Sequence, residues 1–276
     1  MNKKLEIEKL NDQQSDYFET VLSKEEFREF YEFLNLIKLE FNDFGIENGE
    51  FRAPSNSKFM IVETGFKYFT NIDFCIGDIN ELVRLLSRLD KKSKINVVIE
   101  ENTIFFNDNY QDLKIGTCHP NYIDNKFVSE EEMEEKIYKN IDKHKPLMNE
   151  ILPQSIVSNI YKTADDLNTP TISVKHEKGN LSKGYISVAN QGSSKDSSDL
   201  TAREYSIRLK RAFLRPMEMN HYFVLNTSAF VFSKHDMNIN CFISKDNRMI
   251  TTIYTVVVRN LLINIYCRGT YMECDE

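Results

Sequence analysis

Arg84, Arg88 and Lys91 fall at i, i+4 and i+7, and Lys92 follows them. On a helix that spacing puts three cations on one face. The chemistry open to such a face is electrostatic: it neutralises a polyanion such as a phosphate backbone and makes no bond. Over Asn80–Lys92, four basic residues stand against two acidic ones, Glu81 and Asp90. Other basic positions are more diluted. Lys24, Arg28 and Lys38 share a segment with Glu25, Glu26, Glu29 and Glu32; Lys162 lies near Asp165 and Asp166; Lys234 precedes His235. For each of these an ordinary solvated face is as good a reading as an anion contact.

Groups that carry bond-making chemistry are not arranged for it. His119, His144, His176, His221 and His235 lack metal-ligand spacing. The nine glycines form no phosphate-cradling loop, and there is no Gly-x-Ser-x-Gly elbow. The run Glu130–Glu135 reads as a solvated charge run rather than an acid/base pair. The expectation is a protein that is not an enzyme and needs no metal or cofactor. The five cysteines are odd in number and include no CxxC. Cys75, Cys241 and Cys267 sit in apolar strand patterns and are expected to be buried free thiols in a reducing compartment. The opening Met-Asn-Lys-Lys-Leu-Glu lacks a signal peptide's apolar stretch, and no apolar run approaches the about 18 residues of a membrane span. A cytoplasmic protein with no membrane contact is expected.

The elements that must position these groups can be read from caps and periodicity. Residues 1–16 are polar and expected to fray, although Leu5, Ile7 and Leu10 could form a short strand. A strand at Tyr17–Leu22 precedes Ser23 and Glu26, a capping box, and Phe27, Phe30, Tyr31 and Leu34 follow at helical spacing to about Leu39. Strands are predicted around Phe44–Asn48, Glu50–Pro54, Phe59–Thr64 and Tyr68–Ile76, with Asn48-Gly49 as a tight turn. Asp78 and Glu81 repeat the cap logic, and Leu82, Val83, Leu86 and Leu89 form a buried stripe. Strands at Lys94–Glu100, Thr103–Asn107 and Asp112–Cys118 close this half.

Residues 119–147, with Pro120, Pro146 and the acidic run, read as a connector containing a short helix. Pro153 then suits a helix start, and Ile156, Val157, Ile160, Tyr161 and Leu167 supply an apolar face. Strands are expected near Thr171–Lys175, Gly184–Ala189, Arg203–Arg211 and Met219–Leu225, with a polar loop at 190–199. A short helix at Asn226–His235 and three strands finish the chain. The segment Asp78–Cys118 thus recurs as Asn226–Arg268, a capped helix followed by three strands. The order is that of a duplicated domain, with a leading strand visible only in the first copy.

Ile72–Pro120, IDFCIGDINELVRLLSRLD leading into KINVVIEENTIFFNDNYQDLKIGTCHP, resembles the strand, Leu-rich helix and three-stranded meander of DNA sliding clamps; Phe223–Gly269 is the second match. The chain is similar to the clamps of tailed phages and, more distantly, to the proliferating cell nuclear antigen. The resemblance covers most of residues 17–269 and rests on order and spacing, since no short motif is diagnostic. It implies an α+β fold of two tandem clamp domains, each with antiparallel sheets outside and two helices on the inner face. The expected division is 1–118, connector 119–147, and 148–276. It further implies a homotrimeric ring, with the strand near Asp112–Cys118 pairing with that near Arg203–Arg211 of a neighbour.

The implied function is that of a processivity factor: it encircles double-stranded DNA without reading sequence and tethers a DNA polymerase. A clamp loader is an expected partner, and RNA polymerase a possible second client. On this reading Arg84, Arg88, Lys91, Lys92, Lys162, Lys234 and Arg28 contact DNA. Tyr122, Ile123, Phe127 and Val128 of the connector either line a partner pocket or pin the connector to the sheet, and pinning is the favoured reading. A clamp-like monomer on DNA and a β-rich virion or assembly protein without DNA are the competing readings. The formal charge of −7 argues against a simple nucleic-acid-coating protein, yet allows cations to be concentrated on one face. The Asn-, Lys- and Ile-rich composition fits an AT-rich phage genome.

Overall fold

Ser23 and Glu26 form the capping box their spacing predicts: Glu26 N donates to Ser23 Oγ, and Ser23 N donates to Glu26 Oε2 at 2.7 Å. The computed structural model describes residues 17–56, 60–118, 128–141, 146–169, 171–176, 184–189, 204–209, 220–243 and 249–274. The expected strand within 1–16 and the loop 190–199 lie outside the described residues.

The first half contains β1 (Tyr17–Leu22), α1 (Lys24–Ile37), β2 (Phe44–Glu47), β3 (Glu50–Pro54), β4 (Met60–Gly65), β5 (Phe74–Ile76), α2 (Ile79–Leu86), β6 (Ile95–Glu100), β7 (Thr103–Asn107) and β8 (Asp112–Gly116). A short helix, α3 (Glu130–Lys136), follows in the connector. The second half contains β9 (Met148–Leu152), α4 (Gln154–Asp166), β10 (Thr171–His176), β11 (Gly184–Ala189), β12 (Glu204–Leu209), β13 (Asn220–Asn226), a 3-10 helix (Thr227–Phe232), β14 (Met237–Ile243), β15 (Met249–Val258) and β16 (Leu261–Cys274).

The duplication is more complete than the sequence indicates. β9 is a leading strand for the second copy: it pairs antiparallel with β14, as β1 pairs with β6. Its pattern is weak because Met148-Asn-Glu-Ile-Leu152 lies between Pro146 and Pro153 and only Met148 and Leu152 are buried. Two other expectations are corrected. Tyr68–Ile76 is not one strand: Lys67–Phe69 is a 3-10 turn, and pairing begins only at Phe74. The counterpart of α2 in the second copy is a 3-10 helix, because Thr227–Phe232 is short and rich in β-branched and aromatic side chains that crowd an α-turn.

Each copy builds two four-stranded antiparallel sheets. They are β1-β6-β7-β8 and β4-β3-β2-β5 in the first, and β9-β14-β15-β16 and β12-β11-β10-β13 in the second. Asn48 and Gly49, at φ 47° and 85°, form the left-handed two-residue turn between β2 and β3. A Cβ at Gly49 would also lie 3.0 Å from Phe66 O. The long strand β16 pairs with β15 along most of its length, with β13 at its end, and with β4 of the first copy through Asn264–Cys267. Gly269 permits the change of partner, since a Cβ there would lie 2.8 Å from Val224 O. The first copy shows the counterpart of the β13–β16 contact as a single bridge, Cys75 to Cys118.

The helices cover the buried faces of these sheets. α1 contributes Phe27, Phe30, Phe33, Leu34 and Ile37 to a core that runs through both copies. In the first copy that core is aromatic, with Phe33 edge-on to Phe51 at 4.9 Å and Phe30 edge-on to Phe66 at 5.2 Å. Each buried phenylalanine contributes roughly 1.5–3 kcal/mol. Cys75, Cys241 and Cys267 are free and buried in strands, as expected; burial pushes the Cys75 and Cys241 thiols up to about 12.

Candidate nucleic-acid interface

The predicted basic face starts on α2. Asp78 caps it by accepting from Glu81 N, while Ile79, Leu82, Val83 and Leu86 point into the core and Arg84 points out. The helix ends sooner than the i, i+4, i+7 argument requires. Ser87 is its C-cap, and Arg88 and Leu89 continue in tight turns through Arg88 N to Leu85 O and Leu89 N to Leu86 O. Arg88, Lys91 and Lys92 therefore stand on the turn after α2 rather than on its face. Leu89 is still buried, and its anchoring keeps this turn against the protein.

Lys91 leans back over α1, with Nζ 3.7 Å from the centre of the Tyr31 ring. Arg28 and Lys91 both act on Glu32 of α1 electrostatically. Arg84 makes a 3.4 Å ion pair with Glu81 on an exposed surface. Pairs of that kind contribute about 0–1 kcal/mol, so Arg84 can exchange Glu81 for a phosphate at little cost. Lys162 is exposed on α4, and Lys234 is exposed in the turn after the 3-10 helix. Burial lowers the pKa of His235, so it adds no charge beside Lys234 near neutral pH.

The acidic residues of α1 look unfavourable in the sequence, but most of them serve the fold. Glu26 caps the helix. Glu29 is buried, and its carboxyl is raised by that burial, with hydrogen bonds from Asn260 opposing the shift. Glu32 is held below the usual carboxylate range by Arg259, whose Nε and Nη2 donate at 2.6 and 2.8 Å. Arg259 and Asn260 are the two-residue turn between β15 and β16. Sequence reading missed Arg259; the only signal was a polar pair between two apolar strands. The structure thus gathers Arg28, Lys91 and Arg259 around one carboxylate, with Arg84 and Arg88 on and just after the adjacent α2.

The helix side of the second copy differs. An open cleft between α4 and the 3-10 helix is lined by Glu40, Asp165, Asn168, Thr227 and Ser228, with no basic side chain among its lining residues. Lys162 and Lys234 are exposed on this side, but neither lines the cleft.

The connector is fastened at the seam between the copies. Val128, Met133 and Ile137 pack with Tyr266, Ile61 and Ile253. Tyr138 and Tyr266 share a 2.7 Å hydroxyl hydrogen bond, Tyr266 donates to Glu63 at 2.8 Å, and Arg52 Nε donates to the other Glu63 oxygen at 3.0 Å. Val128 accordingly pins the connector. Tyr122, Ile123 and Phe127 lie outside the described residues. Among the described residues no group of three His, Cys, Asp or Glu side chains is placed to hold a metal. No helix among them is long and apolar enough to cross a membrane.

Two copies of a helix-backed pair of antiparallel sheets, joined edge to edge, define the DNA sliding-clamp fold, and this chain has it. Proliferating cellular nuclear antigen from Entamoeba histolytica superimposes with a TM-score of 0.58 at 11% identity, covering 93% of this chain and 100% of that one. A chain of the PCNA2–PCNA3 complex from Sulfolobus tokodaii gives 0.55 at 9% identity, covering 91% and 99%. Comparison of the sequence with family models and with curated proteins gives no match.

Proposed function

We propose that three copies of this chain close into a ring that encircles double-stranded DNA and tethers a DNA polymerase as a processivity factor. One observation carries the ring: β4 of the first copy pairs with β16 of the second inside the chain. In the duplicated order β12 corresponds to β4 and β8 corresponds to β16. Both β8 and β12 end their sheets with one side unpaired among the described residues. Pairing β8 of one subunit with β12 of the next repeats the internal junction and removes two open edges. Repeating that junction head to tail generates a closed ring when the rotation closes, and three chains would supply the six domain copies that the resemblance to sliding clamps implies.

The chain divides for this purpose into 1–118, connector 119–147, and 148–276. DNA contact falls chiefly on Arg84, Arg88, Lys91 and Lys92, joined by Arg28; Lys162 and Lys234 contribute less. These contacts meet phosphates and carry no sequence information, as sliding requires. A clamp loader that opens the ring, RNA polymerase as a further client, and a tailed-phage origin belong to the same reading and are supported by the resemblance and the composition alone. Light scattering tests the ring. A mass three times the 32.4 kDa of the chain is expected. A monomer at micromolar concentration overturns it and leaves a clamp-like monomer on DNA.

A further inference from the structure

Among the described residues Tyr110 is the most exposed of the large apolar and aromatic side chains, at 84%. It is not on a loose loop. Asp108 accepts from Tyr110 N and Gln111 N at 2.7 Å each, and Asp108 N donates to Gln111 O at 3.0 Å, closing the β7–β8 turn. That turn is fastened to the one after α2. Asp90 N donates to Asp108 Oδ2 at 2.8 Å, and Gln111 Nε2 donates to Arg88 O at 2.8 Å. Asp90 in turn accepts from Lys92 N and Ser93 Oγ. The two turns are therefore hydrogen-bonded into one unit, with Tyr110 exposed on one turn and Arg88 and Lys92 exposed on the other.

The flanking residues Asn109 and Gln111 are polar, so the turn itself adds no apolar side chain next to Tyr110. The carboxylates of Asp90 and Asp108 are occupied by N–H and hydroxyl donors, whereas Arg88 and Lys92 reach solvent. A solvent-facing ring on a turn bonded to one that carries two exposed cations suits a single strand, with an unpaired base stacked on the ring and neighbouring phosphates on the cations. Bases inside a duplex are already stacked and offer no such face.

We propose that Tyr110 extends the Arg88 and Lys92 contact into one for single-stranded DNA, with Tyr110 itself taking no part in the ring's grip on duplex. The proposal rests on the DNA reading above only for the roles of Arg88 and Lys92. The test is binding of the free protein to a fluorescent dT20 oligonucleotide, with a hairpin duplex of equal length as the second arm. Wild-type protein should bind dT20 in a salt-sensitive manner. Tyr110→Ala should weaken that binding about fivefold or more, the scale of one base stack, and leave duplex binding unchanged. Tyr110→Phe should bind like wild type, and Tyr110→Leu like the alanine variant. No binding of dT20 by the wild type, no effect of alanine, rescue by leucine, or an equal loss on duplex would each overturn the proposal. A monomeric mass with these oligonucleotide results intact would remove the ring and leave this contact standing.

Discussion

Arg259 closes on Glu32 through two charge-assisted hydrogen bonds, at 2.6 and 2.8 Å, across 227 positions of the chain. It joins the last hairpin of the second copy to the first helix of the first. The same contact neutralises a carboxylate on the surface where Arg28 and Lys91 lie. A single ion pair therefore serves both assembly of the two copies and the charge of the candidate interface.

Removing this clasp should cost little stability in a measurable, pH-dependent way. Both side chains are partly exposed, so Arg259→Ala is expected to lower stability by about 1 kcal/mol or less at pH 7 in urea unfolding. The Glu32 carboxyl is depressed in the folded state, so its stabilisation is present above the unfolded value of about 4.3 and is lost as pH falls through the lower folded value. The difference between wild type and Arg259→Ala should accordingly shrink below about pH 4. A difference that is unchanged there would mean that Arg259 acts through packing.

Reversing Arg84, Arg88 and Lys91 to Glu should abolish stimulation of polymerase processivity while leaving the oligomer intact. Single neutralisations at Arg84 or Arg88 should each reduce the slope of log affinity against log salt by roughly 0.9 for each phosphate left without its cation. Lys162→Ala and Lys234→Ala should have smaller effects, because Asp165 and Asp166 follow Lys162 on the exposed face of α4 and Lys234 stands alone beside Asp236. Unchanged processivity in the triple variant would remove the DNA reading and favour an assembly role.

The order of elements was legible because caps and periodicity are local. Ser23 with Glu26, Asp78 with Glu81, and Asn48-Gly49 all form as their spacing predicts. The strand Met148–Leu152 was not legible, since its identity depends on pairing with β14 rather than on its own pattern. The basic site was half legible. Helical spacing grouped Arg84, Arg88 and Lys91, but α2 stops at Leu86, and Lys91 is placed by the Tyr31 ring instead. Arg259 could not be assigned from sequence, because a turn residue gains its role only when the second copy docks on α1.

The edge of β8 offers a selective way to break the assembly. Asp108 N bonds to Gln111 O and Thr117 N to Asn102 O, which fixes Leu113 and Ile115 as the residues bonded to β7 and turns the Lys114 N–H toward the open side. Lys114→Pro removes that outward donor without cutting the β7–β8 ladder. The variant should fold, with circular dichroism and unfolding midpoint close to wild type, but elute as a monomer. A trimeric Lys114→Pro protein would mean that β8 is not the ring edge.

The connector should loosen when its hydroxyl contact is removed. Tyr138→Phe deletes hydrogen bonds to Tyr266 and Glu63 and should cost about 1 kcal/mol, with faster amide exchange in residues 128–141. Tyr266→Phe should cost more, because it removes the shorter bond to the Glu63 carboxylate as well. Equal effects of the two variants would place the fastening in the apolar contacts of Val128, Met133 and Ile137.

Images of the particle by electron microscopy test the central claim most directly. A closed ring with six lobes and a hole wide enough for duplex DNA is the predicted result. Single two-lobed particles, or an open stack with no hole, at concentrations where the protein supports polymerase processivity would contradict it.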